Sequence, residues 1–290
     1  LRARERASST ILWIEQEAGE TLPGVLALLG EAGVPHQVLE GPEASLPPAG
    51  TGGVVPVEGN LGYGGGNNVG LRMLARHGVP YAWVLNNDTL LEQGSSADLV
   101  RAAQARPEVG AWGACVRSAG GRVLCGGGLR AEDFSVEALA DPVQVEQHPR
   151  AWVTGCALFG RTEVLQQVGF VPEDYFLYYE DVALSLELQR RGWLISACPA
   201  VSVFHEGSLS TGRGSPLVAY YTARNRWVLL ERYFPEALAG QQRRGWYRLQ
   251  SLLFRLHVRR ARLEWAAWRD WKARRMGRSA RAWVRARPGP

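Results

Sequence analysis

The chain has 290 residues, 46% of them apolar and 21% charged, the balance of a globular protein and neither a disordered nor a fibrous one. No apolar run approaches the roughly 18 residues a membrane-spanning helix needs, and the apolar stretch behind the charged start is cut by Glu15, too short for a secretory signal. Residence in the cytoplasm is therefore the default expectation.

The net charge of +5 is unevenly spread. Residues 241–290 hold fifteen Lys/Arg against Glu264 and Asp270, whereas the first 240 residues carry 18 bases and 26 acids. Cys115, Cys125, Cys156 and Cys198 are widely spaced with no C-x-x-C pair, so neither a zinc site nor a disulfide framework is expected, only reduced, packed thiols.

In chain order, 10–14 reads as a strand, 22–33 as a helix stopped by Gly30 and Gly33, and 37–39 as a short strand. A Gly/Pro-rich loop over 41–53 leads to a strand at 54–57, a helix over 67–77 and a strand ending at Asn86. Ser95 or Ser96 caps a helix over 96–105. Strands follow at 109–116, 122–125 and 152–159, then helices at 162–168 and 180–191, and the chain is helical from 217 onward. This alternation predicts an α/β fold with a mostly parallel sheet flanked by helices.

Four segments carry candidate chemistry. Asn60-Leu-Gly-Tyr-Gly-Gly-Gly-Asn-Asn68 is a glycine-rich turn before a helix, where free amides can meet an anion; it matches neither G-x-G-x-x-G nor a P-loop, and by itself also fits a flexible turn. Asn86-Asn87-Asp88-Thr89 ends a strand at the edge where ligands bind in open α/β sheets. Asp88 there suits Mg²⁺ or Mn²⁺ against a diphosphate, or simply an Asx turn. Glu180-Asp181 follows the aromatic run Tyr175-Phe-Leu-Tyr-Tyr179. These acids either complement the helix dipole or supply a general base whose carboxylate the aromatic wall desolvates. Adjacent helical side chains point about 100° apart, so only one of the two should reach a substrate. His205 ends an apolar strand before a Gly/Ser loop, placed for a metal or phosphate.

Together these segments, with Leu85-Asn-Asn-Asp-Thr89, Val153-Thr-Gly-Cys-Ala-Leu158 and Ala223-Arg-Asn-Arg226, resemble the family 2 glycosyltransferases, in particular their bacterial rhamnosyltransferase-like branch. The resemblance, over roughly 54–235, implies a GT-A fold with a catalytic domain at 1–215, divided into a nucleotide-binding half (about 1–110) and an acceptor half (about 111–215), and a helical Arg/Trp-rich region at 216–290. It implies Asp181 as catalytic base with Glu180 beside it, and Asp88 with His205 at a Mg²⁺ or Mn²⁺ ion. Glu40, Asn60, Gly62, Asn67, Asn86 and Asn87 would serve the donor, and Thr154, Gly155, Tyr178 and Tyr179 the acceptor side. The implied reaction is inverting transfer of a sugar, rhamnose or another hexose, from a nucleotide-sugar to a hydroxyl of a cell-surface glycan, a lipid-linked saccharide or a metabolite.

The N-terminus departs from that pattern, with Glu15-Gln16-Glu17 and Leu39-Glu40-Gly41-Pro42 where the family's nucleoside-gripping residues stand. A non-catalytic binding or scaffold subunit therefore stays open as a second reading. In the C-terminal region, Trp246, Leu249, Leu253, Leu256 and Leu263 recur at helical steps. That stripe fits a helix packed on the catalytic domain, or one lying on an anionic membrane surface through 241–290, which would make the protein peripheral on the inner face of the membrane. A nucleic-acid partner is not expected, because the Trp positions read as a seam and not as a base-stacking platform.

Overall fold

The structure, a computed structural model, describes residues 11–16, 36–39, 41, 43–48, 51–205 and 215–281. The helix expected over 22–33, Glu17, Glu40, Pro42, Gly207-Ser208 and Trp283 lie outside the described residues.

At the N-terminus β3 (Gly52–Val57) pairs in parallel with both β1 (Ile11–Gln16) and β2 (His36–Val38). Val54 and Val55 are fully buried at its centre. Pro56, which has no N–H to donate, sits beyond the last β2 pair, at Val54, where no ladder bond is lost on that side. Helix α1 (Gly62–Arg76) packs against β1 and begins five residues earlier than the glycines suggest. Glycine is a poor helix former in general, but here the absence of Cβ is what admits neighbouring chain. A Cβ on Gly62 would stand 2.3 Å from the Phe176 carbonyl oxygen, and its φ of +78° suits only glycine.

The larger sheet contains β4 (Tyr81–Leu85), β5 (Thr89–Gln93), β6 (Val109–Arg117), β7 (Val123–Leu124), β11 (Ala157–Arg161) and β12 (Leu194–His205), in the order β4-β11-β6-β12-β5 with β7 beside β6. It is mixed: only β6 and β12 run parallel, and the other pairs are antiparallel. The expected mostly parallel pairing is thus found only in the β1–β3 sheet: in the larger one β11 runs against both β4 and β6, and β5 runs against β12. Strand β6 is buried along all but its last residue, as a continuous apolar run in the middle of a sheet should be. The single strand expected at 152–159 is two, β10 (Ala151–Trp152) and β11, broken by the loop 153–156. β10 joins β8 (Gly126–Leu129) and β9 (Val136–Leu139) in a small antiparallel sheet.

Helix α2 (Ser96–Ala105) is capped by Ser95, whose Oγ accepts from the Asp98 N–H at 3.3 Å, a cap worth about 1 kcal/mol. Helices α3 (Pro142–Gln147) and α4 (Thr162–Gln167) are short, and α5 (Glu180–Arg190) carries the acidic pair in its first turn. The C-terminal helices are α6 (Pro216–Tyr233), α7 (Leu238–Phe254) and α8 (Val258–Lys272). Among the described residues no helix is long and apolar enough to cross a membrane.

Two sequence expectations need correction here. Cys115 and Cys125 are joined as a disulfide, with Cα atoms 4.2 Å apart. They lie ten positions apart in sequence, but the β6–β7 hairpin pairs Val116 with Leu124 and so sets Cys115 opposite Cys125. Cys156 and Cys198 are free and buried, as expected. The stripe from Trp246 to Leu263 is not one seam: Leu263 is buried, Leu249 half-buried, and Trp246, Leu253 and Leu256 are exposed.

Candidate active site

Strand direction gathers the candidate residues at one sheet edge. β11 runs against β4 with Ala157 opposite Leu85, so the loop entering β11 lies beside the turn leaving β4. The Asn86 N–H donates to the Cys156 carbonyl at 3.0 Å and locks the two together. β5 runs against β12 with Thr89 opposite His205, which sets Asp88 beside the imidazole. His205 Nε2 and Asp88 Oδ1 are 3.1 Å apart and both side chains are about one-fifth exposed. Thr89 closes the turn through its N–H and hydroxyl, both donating to the Asn86 carbonyl.

Helix α5 builds the other wall. Asp181, Ser185 and Gln189 follow at four-residue steps and share one face. That face runs along the segment 151–155. The Gly155 N–H donates to Asp181 Oδ2 at 3.1 Å, the Val153 N–H to Ser185 Oγ at 3.2 Å, and Gln189 Nε2 to the Ala151 carbonyl at 2.7 Å. The Val182 N–H also donates to Asp181 Oδ1 at 2.8 Å.

Glu180, on the next helical position, is buried, and its Oε2 has no hydrogen-bond partner. Burial, then the charge of Asp181, push its carboxyl up to about 8. Burial also raises Asp181, opposed by the two backbone N–H groups. The two donors favour charge on Asp181 over charge on Glu180, whose Oε2 has no partner. The two acids thus point to different surroundings, Asp181 toward the 153–155 segment and Glu180 into the interior.

The backbone before α5 is strained. Phe176, Tyr178 and Tyr179 have φ of +63°, +67° and +72°, unfavourable for bulky residues by about 1–3 kcal/mol each. Asn225 holds the turn, its Nδ2 donating to the carbonyls of Tyr175 (2.9 Å), Leu177 (2.8 Å) and Tyr178 (2.7 Å). Buried Arg224 donates to the Tyr175 carbonyl at 2.7 Å and, from its other nitrogen, to Gly277.

Tyr63, unremarked in the sequence, completes the site from α1. Its hydroxyl donates to the Gly155 carbonyl at 2.6 Å, and its N–H to the Phe176 carbonyl at 2.7 Å. Burial first, then Glu180, Cys156 and Asp181, raise its pKa well above the usual phenol, so it stays a donor. Gln16 is a second omission: its Oε1 accepts from the Leu61 N–H at 2.6 Å and its Nε2 donates to the Gly62 carbonyl. Asn68 is a third, fully buried and bonded both ways to the Val171 backbone and to Glu173. The signal for Tyr63 was present, a phenol enclosed by glycines; for Gln16 and Asn68 nothing in the sequence separates them from their neighbours.

Cys156 lies between the two carboxylates: burial first, then Asp181 and Asp88, push its thiol up to about 11. Of the other predicted residues, Asn60 Oδ1 accepts from the Gly62 N–H at 3.0 Å, and Asn67 Nδ2 donates back to the Tyr63 carbonyl in its own helix. Asn87 is exposed and Asn86 half-buried. Thr154 Oγ1 contacts the Cys156 sulfur, Tyr178 is half-buried, and the Tyr179 side chain is buried in the core.

Among the described residues no group of three or more His, Cys, Asp or Glu side chains comes together. The pair of one carboxylate and one imidazole fits a hard cation that takes its remaining ligands from phosphate and water, not a closed protein cage.

The mixed α/β sheet, with these acids and His205 at one edge, has the architecture of a GT-A fold. The crystal structure of GalNAc-T7 with UDP, GalNAc and Mn²⁺ matches that fold at a TM-score of 0.52 and 13% identity, covering 80% of this chain and 43% of its own. The chain thus spans less than half the length of that structure's chain. Residues 83–272 match the family described as Glycosyl transferase family group 2, and the chain belongs to it. Over 222 residues it is 29% identical to the N-acetylglucosaminyl-diphospho-decaprenol L-rhamnosyltransferase of Mycobacterium tuberculosis, strains CDC 1551 / Oshkosh and ATCC 25618 / H37Rv, covering 67% of this chain and 69% of each relative.

Proposed function

We propose that the protein is an inverting glycosyltransferase that moves a sugar, rhamnose or another hexose, from a nucleotide-sugar to an acceptor hydroxyl. The observation that carries this reading is the Asp181 carboxylate, held by the Val182 N–H and by the Gly155 N–H of the loop 153–156, which Asn86 joins to the turn carrying Asp88. Asp181 takes the acceptor proton. The freed oxygen attacks the anomeric carbon, and the bond from that carbon to the diphosphate breaks as the new glycosidic bond forms. Because the acceptor oxygen displaces the diphosphate directly, no covalent glycosyl-enzyme is required, and a protonated Glu180 would keep a second negative charge away from the base. Asp88 and His205 would hold Mg²⁺ or Mn²⁺, which when bound neutralises charge on the departing diphosphate.

Asn60, Gly62, Asn67, Asn86, Asn87 and Glu40 are assigned to the donor side, and Thr154, Gly155 and Tyr178 to the acceptor side; the Tyr179 side chain is buried in the core and is not assigned to the acceptor. Residues 1–215 form the catalytic domain in this reading and 216–290 a helical extension. The name of the mycobacterial relatives supports a lipid-linked saccharide as acceptor.

The test is a screen of UDP-, dTDP- and GDP-sugars, with and without Mn²⁺, that reads release of the nucleoside diphosphate and, by calorimetry, donor binding. Metal-dependent release from one donor class is expected. Absence of both release and binding for every donor would favour the scaffold reading prompted by Glu15-Gln16-Glu17.

A further inference from the structure

The turn between α7 and α8 has a surface that the transfer reaction does not use. Within six residues, Leu253, Phe254, Leu256 and Val258 are exposed by 50%, 90%, 82% and 58%. Single exposed apolar residues are ordinary, but four large ones on one helical tip are not. Leu256 also has φ of +57°, at a helix C-terminus where glycine is the favoured residue. The strain gains no burial, since this side chain is among the most exposed in the region.

Charge surrounds the apolar tip. Arg255, Arg259 and Arg260 are exposed and make no ion pair among the described residues. The two acids of this hairpin are already engaged. Glu264 pairs with Arg248 at 3.1 Å, and buried Asp270 takes bonds from Tyr220, Arg275 and Arg281. Further down, Trp246, Trp265 and Trp268 pack on one another with ring centroids 5.1–5.7 Å apart. Trp271 is buried against Trp227. The tryptophans thus brace the hairpin, and the aliphatic tip with its arginines is what it presents.

We propose that the α7–α8 turn docks the protein on an anionic lipid bilayer. Leu253, Phe254, Leu256 and Val258 enter the headgroup–acyl boundary while Arg255, Arg259 and Arg260 meet lipid phosphates. Charge complementarity selects this occupant. A protein groove would need acids to answer the arginines, and a second copy of the same tip would set arginine against arginine. Nucleic acid would answer the arginines and leave four aliphatic and aromatic side chains in water.

The test is flotation of the full chain with phosphatidylcholine vesicles, with and without phosphatidylglycerol, in the absence of donor and acceptor. The assay reads docking whether or not the transfer reading is correct. The wild type should float with the anionic vesicles and not the neutral ones. Phe254→Ser/Leu256→Ser should weaken binding by about tenfold or more, and Arg259→Glu/Arg260→Glu by a similar factor. Both pairs are exposed, so thermal unfolding should be unchanged, and Phe254→Ser/Leu256→Ser should keep any transfer to a water-soluble acceptor. The proposal is overturned if the wild type stays with the unbound fraction, or if Phe254→Ser/Leu256→Ser floats as well as the wild type. It is also overturned if duplex DNA or RNA at the same ionic strength displaces the vesicles, or if sedimentation shows that the tip pairs two copies of the chain.

Discussion

The Tyr63 hydroxyl donates to the Gly155 carbonyl at 2.6 Å, and the N–H of the same Gly155 donates to Asp181 at 3.1 Å. Gly155 thus ties the glycine-rich helix to Asp181. Its lack of a side chain matters, because a Cβ would stand 3.0 Å from the phenol oxygen. Tyr63→Phe should keep the fold, lower stability by about 1 kcal/mol and reduce kcat about tenfold as Gly155 relaxes from Asp181. Donor KM should change little. Urea unfolding and steady-state kinetics read both quantities, and an unchanged kcat would remove Tyr63 from the site.

Asp88 and His205 should determine the metal requirement. Chelation should abolish transfer and Mn²⁺ restore it. His205→Ala should raise the Mn²⁺ needed for half-maximal activity by about tenfold or more, since it leaves a single protein donor. A variant with the wild-type Mn²⁺ dependence would place the cation elsewhere.

Asn225 satisfies three carbonyls in a turn that holds three positive-φ aromatic residues. Asn225→Asp is nearly isosteric but replaces the donor amide with oxygens aimed at those carbonyls. It should cost about 3 kcal/mol or more in unfolding free energy and lower kcat in the fraction that folds. The denaturation midpoint in urea is the readout, and an unshifted midpoint would contradict the bracing role.

Glu180 predicts a pH dependence of stability. Its folded pKa of about 8 lies above the 4.5 of an ordinary glutamate, so the folded state holds this proton more tightly than the unfolded state. The group's contribution is fully present below about pH 4.5 and is lost as pH rises through about 8. Glu180→Gln cannot ionise and should lack that slope. Unfolding free energies between pH 5 and 8, compared for the two proteins, should diverge in this direction; parallel curves would mean that Glu180 is ionised when folded (about pH 5–8 being the linkage window).

The positions of the candidate residues are more legible in the sequence than the frame that holds them. Asp88, Asp181 and His205 stand at element ends, where abrupt changes from apolar run to polar residue are visible in one sequence. Tyr63 and Asn68 act on Gly155, Val171 and Glu173 from about 90 to 105 residues away, and local periodicity carries no information about such partners. The mixed sheet was missed for a similar reason. A strand's apolar pattern gives its burial but not the direction of its neighbour, and β11 reads the same either way. The Cys115–Cys125 pair depends on hairpin register, which the spacing of cysteines does not fix.

The central claim is that Asp181 is the base, and the most direct measurement is single-turnover transfer by Asp181→Asn with donor affinity measured alongside. Asparagine keeps the shape and loses the charge, so turnover should fall by about 10²–10⁴-fold while donor Kd stays near the wild-type value. Turnover within a few-fold of the wild type would contradict the assignment.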